Sequence, residues 1–98
     1  MARVILSAGA FADLEWIFEF IASTDPERAL EAVHRLRDRV LILERHPLIG
    51  RQVEAGRREL VMGRGSEAHL ALYRWVPPID AVFVLAVRHA QKAGYRGD

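Results

Sequence analysis

The sequence contains no cysteine, which removes thiolate nucleophiles, cysteine-ligated zinc and any disulfide framework from consideration. That absence accords with a reducing compartment. No stretch reads as a signal peptide, and the apolar run Ala81 to Val87 is far shorter than the ~20 residues a membrane-spanning helix needs, so the expectation is a cytoplasmic protein. Lysine is almost missing: Lys92 stands alone beside thirteen arginines, the side chain suited to bidentate contact with phosphate or carboxylate. High genomic GC content produces the same bias. There is no Gly-x-Ser-x-Gly elbow to carry a serine nucleophile. Gly63-x-Gly65-Ser66 lacks the following helix and the lysine of a phosphate-binding loop, and reads instead as a hairpin turn. His34, His46, His69 and His89 show no metal-ligand spacing, so neither metal nor cofactor is expected.

What remains is a chain of 98 residues, 51% hydrophobic and 28% charged, the composition and length of one globular domain covering residues 1–98. The net charge of +1 conceals an asymmetry. Met1 to Gly56 carries seven Arg against nine Asp or Glu, a net −2, whereas Arg57 to Asp98 carries six Arg and one Lys against four acids, a net +3.

Arg3 to Ser7 reads as a short strand, with Ser7 placed to cap a helix running to about Ala22. Phe11, Leu14, Ile17, Phe18 and Ile21 recur at helical spacing and predict its inward stripe. Trp16 and Phe20 project roughly opposite, either as a second core face or as a partner-binding surface. Asp25 as N-cap and Pro26 at the first helical position start another helix, reaching about Arg45, with Ala29, Val33, Leu36, Val40 and Leu43 facing inward. So short a connection makes the two helices antiparallel neighbours. His46-Pro47 ends the second, and a polar loop through Gly50 and Gly56 follows. Three strands close the chain, at Arg58 to Met62, Glu67 to Val76 and Ala81 to His89, and their short links force antiparallel pairing. The expected fold class is α+β: a strand, a helical hairpin and a three-stranded meander, with one sheet face under the helices and the other partly open. The last strand lacks any polar residue until Arg88 and His89, which strand alternation sends to opposite faces.

Arg58, Arg74, Arg88, His89, Lys92 and Tyr95 lie on these strands or just beyond them. Guanidinium groups can neutralise charge building on a phosphate, and imidazole or phenol can move protons. The set therefore fits either cleavage of RNA through its own 2′-hydroxyl or the rim of a basic binding surface.

Taken together, Ala12-Asp13-Leu14, Asp25-Pro26 with Ala29, Pro47 with Gly50-Arg51, Arg58-Glu59-Leu60-Val61, Ala71-Leu72-Tyr73-Arg74 and Val87-Arg88-His89 resemble, in order and spacing, the RelE/ParE family of bacterial type II toxin-antitoxin (plasmid stabilisation) toxins. The resemblance covers nearly the whole chain and implies the β-α-α-β-β-β layout just described. It implies a growth-inhibiting toxin in a hetero-oligomer with a cognate antitoxin, without cofactor. One branch poisons DNA gyrase and is not nucleolytic; the other cuts mRNA on the ribosome. The Pro47, Gly50-Arg51 and Arg58-Glu59-Leu60 pattern resembles the gyrase-directed ParE branch. Under that reading no residue is catalytic, Arg88, Lys92, Tyr95 and Arg96 face the target, and Trp16 and Phe20 face the antitoxin. Under the nuclease reading Arg58, Arg74, Arg88, His89 and Tyr95 are the catalytic candidates, although lysine is scarce and His89 precedes Ala90 rather than a tyrosine. A toxin homologue that has lost activity and acts as a binding module is the third expectation.

Overall fold

The computed structural model describes residues 1–92 and 94–95. Strand β1 (Arg3–Leu6) leads into helix α1 (Ala8–Ala22), helix α2 (Pro26–Val40), a short β2 (Arg51–Gln52), β3 (Arg58–Met62), β4 (His69–Val76) and β5 (Ala81–His89). The five strands form one sheet in the order β1-β5-β4-β3-β2, with β1 parallel to β5 and every other pair antiparallel. The expected α+β layout is therefore present, with two additions: the supposed polar loop contains β2, and the N-terminal strand inserts beside the last one. Among the described residues no helix is long and apolar enough to cross a membrane.

Local chemistry explains the helix ends. The Ser7 hydroxyl accepts from the Ala10 N–H at 3.2 Å, and the Asp25 carboxylate accepts from the Arg28 N–H at 3.1 Å, each satisfying a donor that the first helical turn leaves unpaired. Helix α2 is shorter than its sequence pattern suggests. At Leu41–Glu44 the chain tightens into a 3₁₀ turn, which keeps Leu43 fully buried while starting the chain toward His46-Pro47.

The core lies between the helices and one sheet face, built from Ala10, Leu14, Ile17, Leu36, Val40, Leu43, Met62, Ala71, Tyr73, Val82, Val84 and Val87. Burying each Val or Leu side chain there contributes roughly 1.5–3 kcal/mol. Phe11, expected inside, is instead 57% exposed. The inward stripe of α1 is rotated toward Ala10 and Asp13, because the start of the helix lies too close to β5 for a large side chain. A Cβ built on Gly9 would come within 3.0 Å of the Leu85 carbonyl oxygen.

That carbonyl belongs to a β-bulge. Leu72 opposes Ala86 and Tyr73 opposes Val84, leaving Leu85 as the extra residue on β5. The bulge reverses the alternation of the strand, so Val82 and Val84 share the helix-covered face with Val87 and His89 rather than with Ala86 and Arg88. Past the end of β1 the edge of β5 is satisfied by α1: Ser7 Oγ donates to the Leu85 carbonyl at 3.2 Å, and the Val87 N–H donates to Asp13 Oδ2 at 2.9 Å.

Candidate functional site

The bulge decides what each face carries at the C-terminal end of β5. Arg88 opposes Leu70 on the open face; His89 opposes His69 beneath the helices. On the helix side the end of the sheet, the tip of the helical hairpin and the Ser66-Glu67 turn enclose a cleft of ≈ 470 Å³, lined among others by Trp16, Ile17, Phe20, Arg28, His69 and His89. Trp16 and Phe20 stack with ring centroids 5.4 Å apart and planes 13° from parallel. They are 39% and 67% exposed, so of the two readings open from sequence, a second core face is not what they form. Lys92 Nζ sits 4.6 Å from the centre of the Trp16 ring, within cation–π range. Arg28 and Glu67 face each other at 3.6 Å on the rim. The cleft thus has an aromatic wall and a mainly cationic mouth.

The two histidines meet edge to face at 5.1 Å. His89 Nδ1 accepts from the Gln91 N–H at 3.1 Å, which fixes the tautomer and lets Nε2 donate to the Ser66 carbonyl at 2.7 Å. His69 Nδ1 lies 3.1 Å from the Glu67 carbonyl. Burial holds the His69 imidazole below the ordinary histidine range, and the neighbouring His89 acts in the same direction. Among the described residues no group of three or more His, Asp or Glu is placed to share a metal ion.

On the open face a second cluster assembles around Glu59, which is 5% exposed. Arg51 pairs with its Oε1 at 2.6 Å, and the Tyr95 hydroxyl donates to Oε2 at 2.6 Å. Burial alone would raise the Glu59 pKa, but the hydrogen bonds from Tyr95 and Arg51, with the charges of Arg51 and Arg88, outweigh it and leave the carboxyl below its usual range. Burial, reinforced by Glu59, pushes the Tyr95 phenol far above its ordinary value. Arg88 Cζ lies 4.9 Å from the Tyr95 ring centre. Its Nη1 donates to the backbone carbonyls of His89, Ala90 and Lys92, so Arg88 staples the turn that follows β5.

The other candidate arginines are used in the same way. Arg58 Nη1 donates to the Leu48 and Gly50 carbonyls at 3.1 and 2.8 Å, and Arg74 Nη2 donates to the Ala55 carbonyl at 2.7 Å. The structure therefore brings together Arg88 and Tyr95 on one face, and His89, Trp16, Phe20 and Lys92 around the cleft on the other. Arg58 and Arg74 hold the loop before β3 instead. Arg96 lies outside the described residues. Glu59, Arg51 and His69 join these clusters, although in the sequence Arg51 and Glu59 stand out only as part of the family resemblance and His69 only as one of four histidines without metal-ligand spacing. Glu59 and Tyr95 are thirty-six residues apart in the chain, and neither periodicity nor spacing signals such a pairing.

Comparison with known proteins gives the architecture a context. The chain is similar to a protein of the chromosomal ParDE toxin-antitoxin system from P. aeruginosa, at 25% identity and a TM-score of 0.80, over 93% of this chain and 98% of that one. It is also similar to a chain of the RelBE2 toxin-antitoxin complex from Mycobacterium tuberculosis, at 27% identity and a TM-score of 0.61, over 90% and 96%. No curated protein sequence matches it. The family model for the ParE toxin of the type II toxin-antitoxin system parDE matches residues 4–94. With that match spanning both helices and all of the five strands but Arg3, the chain belongs to the ParE toxin family of type II toxin-antitoxin systems.

Proposed function

We propose that the protein arrests growth by poisoning DNA gyrase without cutting nucleic acid, and that a cognate antitoxin restrains it by covering the cleft beside Trp16 and Phe20. One observation carries the non-nucleolytic reading: the proton-transfer candidates are already committed. Both ring nitrogens of His89 are engaged by backbone groups. The Tyr95 hydroxyl proton is given to Glu59, and its pKa is displaced upward, away from physiological pH. A general acid or base needs a reachable atom and a pKa near the operating pH. The guanidinium groups of Arg58 and Arg74 are likewise directed at loop carbonyls rather than converging on one point where a phosphate could sit.

A poison needs shape and charge. The corner after β5 supplies both, with Arg88 fixing the turn that carries Lys92 and Tyr95, and this corner is the proposed contact with gyrase, in the cytoplasm. Purified protein is expected to inhibit gyrase supercoiling and to leave ribosome-bound mRNA intact. Codon-positioned cuts in mRNA, lost in Arg88→Ala or Tyr95→Phe, replace this reading with the nuclease one; a folded chain that arrests no growth replaces it with a binding module. For the antitoxin contact, replacing Trp16 and Phe20 together with Ala is expected to weaken the complex by about 3 kcal/mol, or ~100-fold, as aromatic interface anchors do. Unchanged affinity refutes their role.

A further inference from the structure

The cleft beside the helical hairpin combines three kinds of contact that small-molecule sites use. At ≈ 470 Å³ it falls within the ~300–1,000 Å³ range of such sites, whose lining is apolar with a few placed polar groups. Ile17, Ile21, Ala32 and Val87 give it that apolar lining beside the Trp16–Phe20 stack. Lys92 Nζ already lies over Trp16, and Phe20 is the more exposed of the two rings, so Phe20 offers the free face against which a further flat ring can pack.

His69 supplies direction. The Glu67 carbonyl can only accept, so the His69 nitrogen 3.1 Å from it, Nδ1, carries the ring proton. Burial disfavours the imidazolium, and the neutral ring keeps Nε2 as an acceptor that has no hydrogen-bond partner among the described residues. Both nitrogens of the neighbouring His89, by contrast, are engaged. Charge supplies the third contact. Arg28, Arg88 and Lys92 line the cleft against Asp13 and Glu67, a surplus of one positive charge. Asp13 is turned to the Val87 N–H, Glu67 shares Arg28 across 3.6 Å, and Lys92 faces no carboxylate among the described residues.

We infer that the cleft binds a small planar aromatic monocarboxylate whose ring carries an N–H, with the ring against Phe20, the carboxylate at Lys92 and Arg28, and the N–H donated to His69 Nε2. A polyphosphate exceeds the single surplus charge, and a neutral ring leaves Lys92 unmatched. The inference goes beyond the toxin-antitoxin reading. Its consequence, that such a compound competes with the antitoxin, rests on the reading above in which the antitoxin covers this cleft.

The test titrates the intact wild-type chain, free of its partner, with indole-3-acetate as the probe and follows the two tryptophan indole N–H signals by ¹H–¹⁵N NMR. Trp16 lines the cleft, whereas Trp75 Nε1 donates to Asp80 Oδ1 before the opposite end of β5, so the chain contains its own control. The Trp16 signal should shift saturably with Kd below about 1 mM, the scale that the efficiency of small ligands allows, while the Trp75 signal stays in place. Indole-3-acetamide, which lacks the charge, should bind at least ~5-fold more weakly, and 1-methylindole-3-acetate, which lacks the N–H, at least ~3-fold more weakly. Arg28→Gln combined with Lys92→Gln should remove the preference for acid over amide. Either analogue binding within about twofold of the acid, Trp75 moving together with Trp16, or no saturation by about 10 mM overturns the inference. Adding the protein encoded by the small reading frame beside the gene should raise the apparent Kd of the acid. A complex that takes the acid as well as the free chain does overturns the cleft as the seat of the antitoxin and leaves the ligand site standing.

Discussion

Replacing Tyr73 with Phe removes one oxygen from a fully buried ring and should be among the most damaging single-atom changes in the molecule. That oxygen donates to the Pro47 carbonyl at 2.8 Å and accepts from the Gly50 N–H at 2.9 Å. Each bond contributes about 0.5–1.5 kcal/mol net, and an orphaned buried donor costs ~1–3 kcal/mol. Pro47 is only half-buried, so water can take its carbonyl; Gly50 is buried and its N–H has no substitute. The expected loss is about 2–4 kcal/mol, or roughly 10–25 °C in Tm for a domain of this size, read by urea denaturation at constant m-value. A loss under about 0.5 kcal/mol refutes the assignment of the hydroxyl as the anchor of the loop. A double-mutant cycle sharpens the test. A Cβ on Gly50 would stand 2.7 Å from Tyr73 Cε1 and Oη and 2.8 Å from the Glu59 carbonyl oxygen, so Gly50→Ala overpacks the site by about 1–3 kcal/mol. With the hydroxyl gone part of that clash disappears, and the two changes should couple by at least ~0.5 kcal/mol. Strict additivity means that ring and loop do not touch as described.

Three further outcomes follow from particular contacts. Asp13→Ala leaves the Val87 N–H without its charged acceptor and should cost about 2–3 kcal/mol, while Asp13→Asn keeps an acceptor and should cost less than half as much; equal losses contradict the hydrogen-bond account. Folded His69 and Glu59 both sit below their reference values of 6.5 and 4.5, so the unfolded chain binds more protons and stability must fall on acidification, first as pH drops below about 6.5 and again below about 4.5. His69→Gln should flatten the first decline and Glu59→Gln the second, measured as unfolding free energy against pH. In growth assays without antitoxin, Arg88→Ala should abolish toxicity because the turn it staples comes loose, whereas folded His89→Ala should remain toxic; an Arg88→Ala chain that stays fully toxic refutes the role of that turn, and a folded His89→Ala chain that loses toxicity favours the nuclease.

Much of this arrangement was legible in the sequence because it is local. Ser7, Asp25-Pro26 and the apolar period of α2 announce their helices, and β3 and β5 have the bounds their residues suggest. What was not legible is set by long-range geometry. Nothing in Val84-Leu85-Ala86 marks a bulge, yet the bulge assigns Val87 and His89 to the helix-covered face. Phe11 satisfied the helical period, but the close approach of Gly9 to Leu85 rotates the helix and leaves the ring outside. At the candidate site, alternation placed Arg88 and His89 on opposite faces, while the engagement of their polar atoms by backbone carbonyls and amides depends on loops whose course the sequence does not reveal.

The parallel pairing of β1 with β5 sets an order of events during synthesis. Arg3–Leu6 finds its partner only at Ala81, Val82, Phe83 and Val84, so the first strand waits for roughly 80 residues to be added, about 4–16 s at ~5–20 residues per second. Until then α1 has no β5 to lie on, Asp13 has no Val87 to receive from, and the sheet lacks the strand to which both β1 and β4 bond. A chain released before Ala81 can assemble neither the cleft nor the corner beyond it. The first strand and the helical hairpin are thus made long before the strand that gives them their place in the fold.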